Sequence, residues 1–104
     1  MYNHGEVEFA LIAKAGEARS YAFEALELAK LKEYDNAAEL LKKAENLLLE
    51  AHQIQFKLLS KEAKGEGKQE VGILLVHAQD HLMTAILAKE LIAENIQLRK
   101  ELIK

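Results

Sequence analysis

Apolar residues recur at helical spacing along almost the whole chain, and the pattern is interrupted at two places only. The middle of the chain shows it most regularly. Leu40, Ala44, Leu47, Ala51, Ile54 and Leu58 step by fours and threes, as a single buried stripe on a helix requires. Before it, residues from about 6 to 31 carry the small side chains Ala13, Gly16, Ala18, Ala22, Ala25 and Ala29, which would let another helix approach closely, although Gly16 costs some helix stability. The first interruption is Lys32-Glu33-Tyr34, after which Asp35 is placed to cap a helix over about 35–64. The second is Gly65-Glu66-Gly67, which offers two residues tolerant of left-handed backbone. A third helix is predicted from Gln69 or Glu70 to about 103. Short connections between three long helices predict an all-α, antiparallel up-down-up bundle.

The third helix carries more apolar surface than a lone bundle can use. Val71, Leu74, Ala78, Leu82, Ala85, Ile92 and Ile96 form one stripe, sufficient to pack on the other two helices. A second stripe, Ile73, His77, Asp80, Thr84, Leu87, Leu91 and Leu98, falls within roughly a quarter turn elsewhere on the cylinder. Gln79, Glu90, Gln97 and Arg99 mark the predicted wet side. An apolar line left in water usually marks a contact surface, so a homo-oligomer is expected.

Composition narrows the class. With 104 residues, half of them hydrophobic, the chain 1–104 is expected to be one domain with one modest core. Proline, cysteine and tryptophan are absent, which excludes disulfides and favours helix over sheet. The net charge is −3 with no basic cluster, so no nucleic-acid footprint is present. The first residues lack a basic segment leading into an apolar one, and no apolar stretch is long enough to span a bilayer. A soluble cytoplasmic protein without membrane insertion is therefore predicted.

Candidate chemistry gathers in Val76-His77-Ala78-Gln79-Asp80-His81-Leu82-Met83. On a helix turning about 100° per residue, His77, Asp80 and His81 project within one narrow sector. A lone histidine on a helix is more often structural than reactive, but two histidines and a carboxylate in one sector form an environment of their own. Asp80, set between Ile73 and Leu87 on the second stripe, would be costly as an unpaired charge if that face were covered. Elsewhere, His52 reads as a packing or surface residue and His4 as part of a loose end. For Arg19, a salt bridge to a neighbouring glutamate is expected ahead of a phosphate contact.

Three segments, Ala15-Gly16-Glu17-Ala18-Arg19-Ser20, Ala51-His52-Gln53-Ile54-Gln55 and Val76 to Ala85, resemble the signature regions of the lactose/cellobiose-type enzyme IIA family of the bacterial phosphoenolpyruvate-dependent sugar phosphotransferase system. The similarity extends over nearly the whole chain, and the HAQDHLMTA segment is its specific part. It implies a homotrimer of three-helix subunits. It implies further that His77 accepts a phosphoryl group from the phosphocarrier protein, with Nε2 the expected attachment point, and passes it to a cysteine of enzyme IIB. Asp80 would lie at the trimer axis, where three copies share a divalent metal, Mg2+ by the family's usual assignment.

The residue chemistry agrees with that implication. Neutral imidazole is a nitrogen nucleophile near physiological pH, and its phosphorylated form stays reactive enough to hand the group on. His81, one turn along and about 40° around from His77, is a candidate to donate a supporting hydrogen bond or merely to flank the site. Gln79 projects away from His77, so any role for it is expected across a subunit boundary. Carboxylates meeting at an axis repel unless a cation or protons offset them, which makes a metal at Asp80 reasonable. The rival reading is a noncatalytic helical binding module of tetratricopeptide-like or three-helix trafficking type, suggested by residues 31–41. A tetratricopeptide motif would recur every 34 residues or so, and no second copy is found. A purely structural metal bundle fails on ligands, since one chain offers too few and no cysteine. The sugar is left open among cellobiose, chitobiose, a related β-glucoside and lactose.

Overall fold

The computed structural model describes residues 5–63, 65 and 72–103. They form three helices, α1 (Glu6–Lys30), α2 (Tyr34–Ala63) and α3 (Ile73–Leu102), with no strand among the described residues. A 30-residue helix is about 45 Å long, and the bundle measures 55 × 20 × 20 Å. Contacts between side chains run in opposite directions along α1 and α2. Lys14 Nζ lies 2.8 Å from Glu50 Oε2, and further on Lys43 Nζ sits 5.7 Å from the Tyr21 ring centre. The same holds for α2 and α3, where Gln55 meets Gln79 near one end and Tyr34 meets Lys100 near the other. The topology is up, down, up.

α1 is the central element, packing closely on both α2 and α3, whereas α2 and α3 touch much less. Its sequence explains this. Ala15, Ala18, Ala22, Ala25 and Ala29 are all buried, and a helix lined with alanine can admit two neighbours at short range. Opposite them lie Ala37, Ala44, Leu48 and Ala51 of α2 and Ala78, Leu82, Ala85, Ile92 and Ile96 of α3. Leu11 and Leu82 are the largest fully buried side chains. The predicted α2 stripe and the described part of the first α3 stripe therefore face the core or its margin. Leu48 is an addition that the regular spacing does not show. Val71, Lys64, Gln69, Glu70 and His4 lie outside the described residues.

Two boundaries differ from expectation. α2 starts at Tyr34, so Asp35 is not its cap but a first-turn residue, where a carboxylate complements the positive end of the helix dipole. The reason lies in how α1 ends. Lys32 adopts φ 65°, its amide donates to Ala29 O at 2.9 Å, and the Glu33 amide donates to Leu28 O at 2.9 Å. These crossed bonds are a Schellman closure, with lysine in the left-handed position that glycine usually takes. The chain then re-enters a helix at once, with Ala37 N donating to Glu33 O and Asn36 Nδ2 to Glu33 Oε1. α3 starts at Ile73, later than the predicted Gln69 or Glu70, after an extended Gly72 (φ −96°, ψ 168°) whose carbonyl accepts from Val76 N. Glycine's low helix propensity places that boundary where no capping side chain does.

Candidate phosphoryl site

The early turns of α3 stand beside the start of α1. Gly5, at φ 103°, begins α1, and a Cβ there would come 3.8 Å from Leu74 Cδ2. Leu74 is half-buried, and Ala78 and Leu82 are buried against α1. This anchoring fixes the rotation of α3 about its axis and therefore decides where the polar residues point. His77 and Asp80 face outward and are exposed; His81 is half-buried at the edge of the core. The His77 and His81 rings meet edge to face, with centres 4.5 Å apart and planes at 84°. The two imidazoles thus share one environment, as their spacing predicts, while Asp80 lies beside them on the open side.

That open side is apolar along its length. Ile73 is 90% exposed, and Leu87, Leu91 and Leu98 are each more than half exposed. Thr84, on the same line, has turned its hydroxyl back onto the helix, donating to Asp80 O at 2.8 Å and to His81 O at 3.3 Å. Both carbonyls belong to residues of the site. A threonine hydroxyl bonded one turn back perturbs the helical ladder slightly, so Thr84 acts on the turn that carries Asp80 and His81. Its presence within the motif is the signal that could have singled it out.

Two residues are placed otherwise than expected. Gln79, assigned to the wet side with any role across a subunit boundary, is half-buried, and its Oε1 accepts a hydrogen bond from Gln55 Nε2 of the same chain. The pair bridges α2 and α3 behind the histidines, where those helices otherwise touch little. Gln55 lies within the second signature segment, but nothing in a periodic pattern identifies a polar partner on another helix. Arg19 makes no ion pair among the described residues; its guanidinium carbon lies 5.6 Å from the Phe23 ring centre, a cation–π contact one turn along. His52 is exposed on α2, a surface residue. Among the described residues no group of three or more His, Asp or Glu side chains could hold a metal ion, so a single subunit offers no closed site.

Residues 6–100 match the family described as the PTS system, Lactose/Cellobiose specific IIA subunit. The chain belongs to that family. It is 47% identical over 97 residues to the N,N'-diacetylchitobiose-specific EIIA component of Escherichia coli K12, covering 93% of this chain and 83% of that one. Among solved structures, the cellobiose-specific enzyme IIA of Bacillus anthracis superposes with a TM-score of 0.90 at 48% identity, covering 98% of this chain and 94% of the other. A chain from the IIA(Chitobiose)–HPr complex superposes with a TM-score of 0.85 at 42% identity, covering 99% and 100%. Membership in the IIA family sets aside the helical binding-module reading. It also agrees with the absence, among the described residues, of any helix long and apolar enough to cross a membrane.

Proposed function

We propose that this IIA subunit carries a phosphoryl group on His77, received from HPr and delivered to a cysteine of enzyme IIB during uptake of a β-linked disaccharide of the cellobiose, chitobiose or lactose kind. The observation that carries the reading is the exposed His77 imidazole on a rigid helix, inside the segment that resembles the family's phosphorylation motif. The relative solved with HPr supports the donor. Exposure matters because the same nitrogen must be reached by two proteins in turn.

In the first step the Nε2 lone pair of neutral His77 attacks phosphorus, a new P–N bond forms, and the bond from phosphorus to the donor breaks. In the second, the cysteine sulfur attacks phosphorus and the P–N bond breaks, returning the imidazole. Nε2 is the atom farther from the helix, and its lone pair is free when the ring proton sits on Nδ1. Transfer through a loose, in-line transition state asks chiefly for positioning and for charge stabilisation on the moving oxygens. Positioning comes from α3, locked on α1 by Ala78 and Leu82 and on α2 by the Gln55–Gln79 bond. His81, whose ring packs edge to face on that of His77, is placed to donate a hydrogen bond to the phosphoryl group.

The working unit is a homotrimer in which three copies of the open α3 face meet. Burying Ile73, Leu87, Leu91 and Leu98 against their counterparts would contribute several kcal/mol per subunit, at about 25 cal/mol per Å² of apolar area. Asp80 falls on this face and would bring three carboxylates together. Their hard oxygens suit Mg2+, whereas the described residues of one subunit gather no group of three acids or histidines that could hold it. A bound cation there would offset carboxylate repulsion and so act on assembly.

The test is phosphorylation by phosphoenolpyruvate, enzyme I and HPr, followed by mapping of the modified residue. The wild type gains one phosphoryl group on His77, His77→Ala gains none, and His81→Ala is still labelled. Labelling of His77→Ala together with loss of labelling in His81→Ala would assign the carrier to the other histidine.

A further inference from the structure

His77 and His81 have a second chemistry that phosphoryl transfer does not require. Two histidines four residues apart on one helix face are the pair by which helices hold zinc in metalloproteases, because both imidazoles project to the same point in space. Here the ring centres are 4.5 Å apart. Two imidazoles that share a tetrahedral cation at about 2.0–2.1 Å from each nitrogen have ring centres roughly 5 Å apart, so the observed pair needs little more than ring rotation. Rotation about χ2 is soft for histidine, and the present edge-to-face arrangement can convert to one in which both lone pairs converge. His77 is exposed and His81 half-buried, so a cation can enter from solvent and keep water on its remaining positions.

From this geometry we infer that His77 and His81 chelate a borderline divalent transition cation, of which Zn2+ is the natural probe. Imidazole nitrogens select Zn2+, Ni2+ and Cu2+ over Mg2+, which prefers oxygen. The site is therefore distinct from one built on Asp80 carboxylates. Among the described residues no third His, Asp or Glu side chain completes it, so it is a two-ligand site finished by water and exchanges readily. The cation and an Nε2-linked phosphoryl group compete for His77. Zinc occupancy blocks phosphoryl acceptance, and phosphorylation expels zinc.

The functional half of this inference rests on the phosphocarrier reading; the binding half does not. The full-length unphosphorylated chain is titrated with ZnCl2 by calorimetry in excess Mg2+, with histidine imidazole signals followed by NMR. One Zn2+ per subunit is expected, and the signals of His77 and His81 move together. His77→Gln and His81→Gln each weaken binding by about tenfold or more, since loss of even an outer-sphere partner can cost that much. His52→Gln leaves it unchanged. Far-ultraviolet circular dichroism verifies the fold of each variant. Zinc that binds without both histidines, or that moves only His4 or His52, overturns the site. In the phosphorylation assay, saturating Zn2+ should prevent labelling, and chelation should restore it. Undiminished labelling of zinc-saturated protein overturns the competition. A chain that binds zinc through both histidines yet accepts no phosphoryl group under zinc-free conditions instead contradicts the phosphocarrier reading and leaves the zinc site standing.

Discussion

The two long faces of α3 are about equally apolar in sequence and have opposite fates. One face, Ala78, Leu82, Ala85, Ile92 and Ile96, is sealed against α1 and its neighbours. The other, Ile73, Leu87, Leu91 and Leu98, lies open to solvent and carries His77 and Asp80 among its leucines. The sealed face holds the subunit together and tolerates no titratable group at its centre. The open face combines apolar area, which favours association, with polar groups that would be costly inside a single subunit. The difference separates two jobs on one helix. Packing of the first face aims the second, which in our proposal both does the chemistry and makes the assembly.

The largest predicted contrast comes from trimming one leucine on each face. Leu82→Ala removes a fully buried side chain and should destabilise the fold by about 2–5 kcal/mol. Leu87→Ala, 55% exposed, should change the stability of a separated subunit by no more than about 0.5 kcal/mol. Urea unfolding at low and high protein concentration measures both effects. Equal losses at low concentration would erase the distinction between the faces. A middle-sized effect is expected from Gln79→Leu, which leaves the half-buried Gln55 amide without its partner and should cost about 1 kcal/mol. If the bridge steadies the histidine turn, this variant also accepts phosphate more slowly while still folded. An unchanged rate would reduce the bridge to packing. The smallest effect lies away from both faces. Lys32→Gly relieves a left-handed lysine and should stabilise the subunit by about 1 kcal/mol at most, with association and phosphorylation unaltered.

Much of this arrangement is legible in the sequence because it follows from angular arithmetic. The stripe Leu40 to Leu58, the sealed face of α3, and the common sector of His77, Asp80 and His81 all come from counting about 100° per residue. What counting cannot supply is the identity of a partner on another helix. Gln79 looks solvent-facing from α3 alone, and only the relative placement of α2 brings Gln55 to it. Arg19 has no glutamate three or four residues away along its helix, where side chains meet, and it settles on Phe23 instead. The boundaries were obscured for a different reason. Lys32 takes a conformation normally signalled by glycine, and α3 begins after a glycine with no capping side chain, so the usual stop and start residues do not mark these ends.

The fate of the open face is tested most directly by sedimentation equilibrium of the wild-type chain at micromolar concentration with and without Mg2+, beside Asp80→Leu. Our account predicts a trimer for the wild type with Mg2+, weakened when a chelator removes the cation. For Asp80→Leu it predicts a trimer indifferent to the chelator, because a leucine there removes carboxylate repulsion and adds apolar area. A wild-type chain that stays monomeric at micromolar concentration with Mg2+ present would contradict the account, leaving the leucines of α3 as an open surface rather than the centre of an assembly.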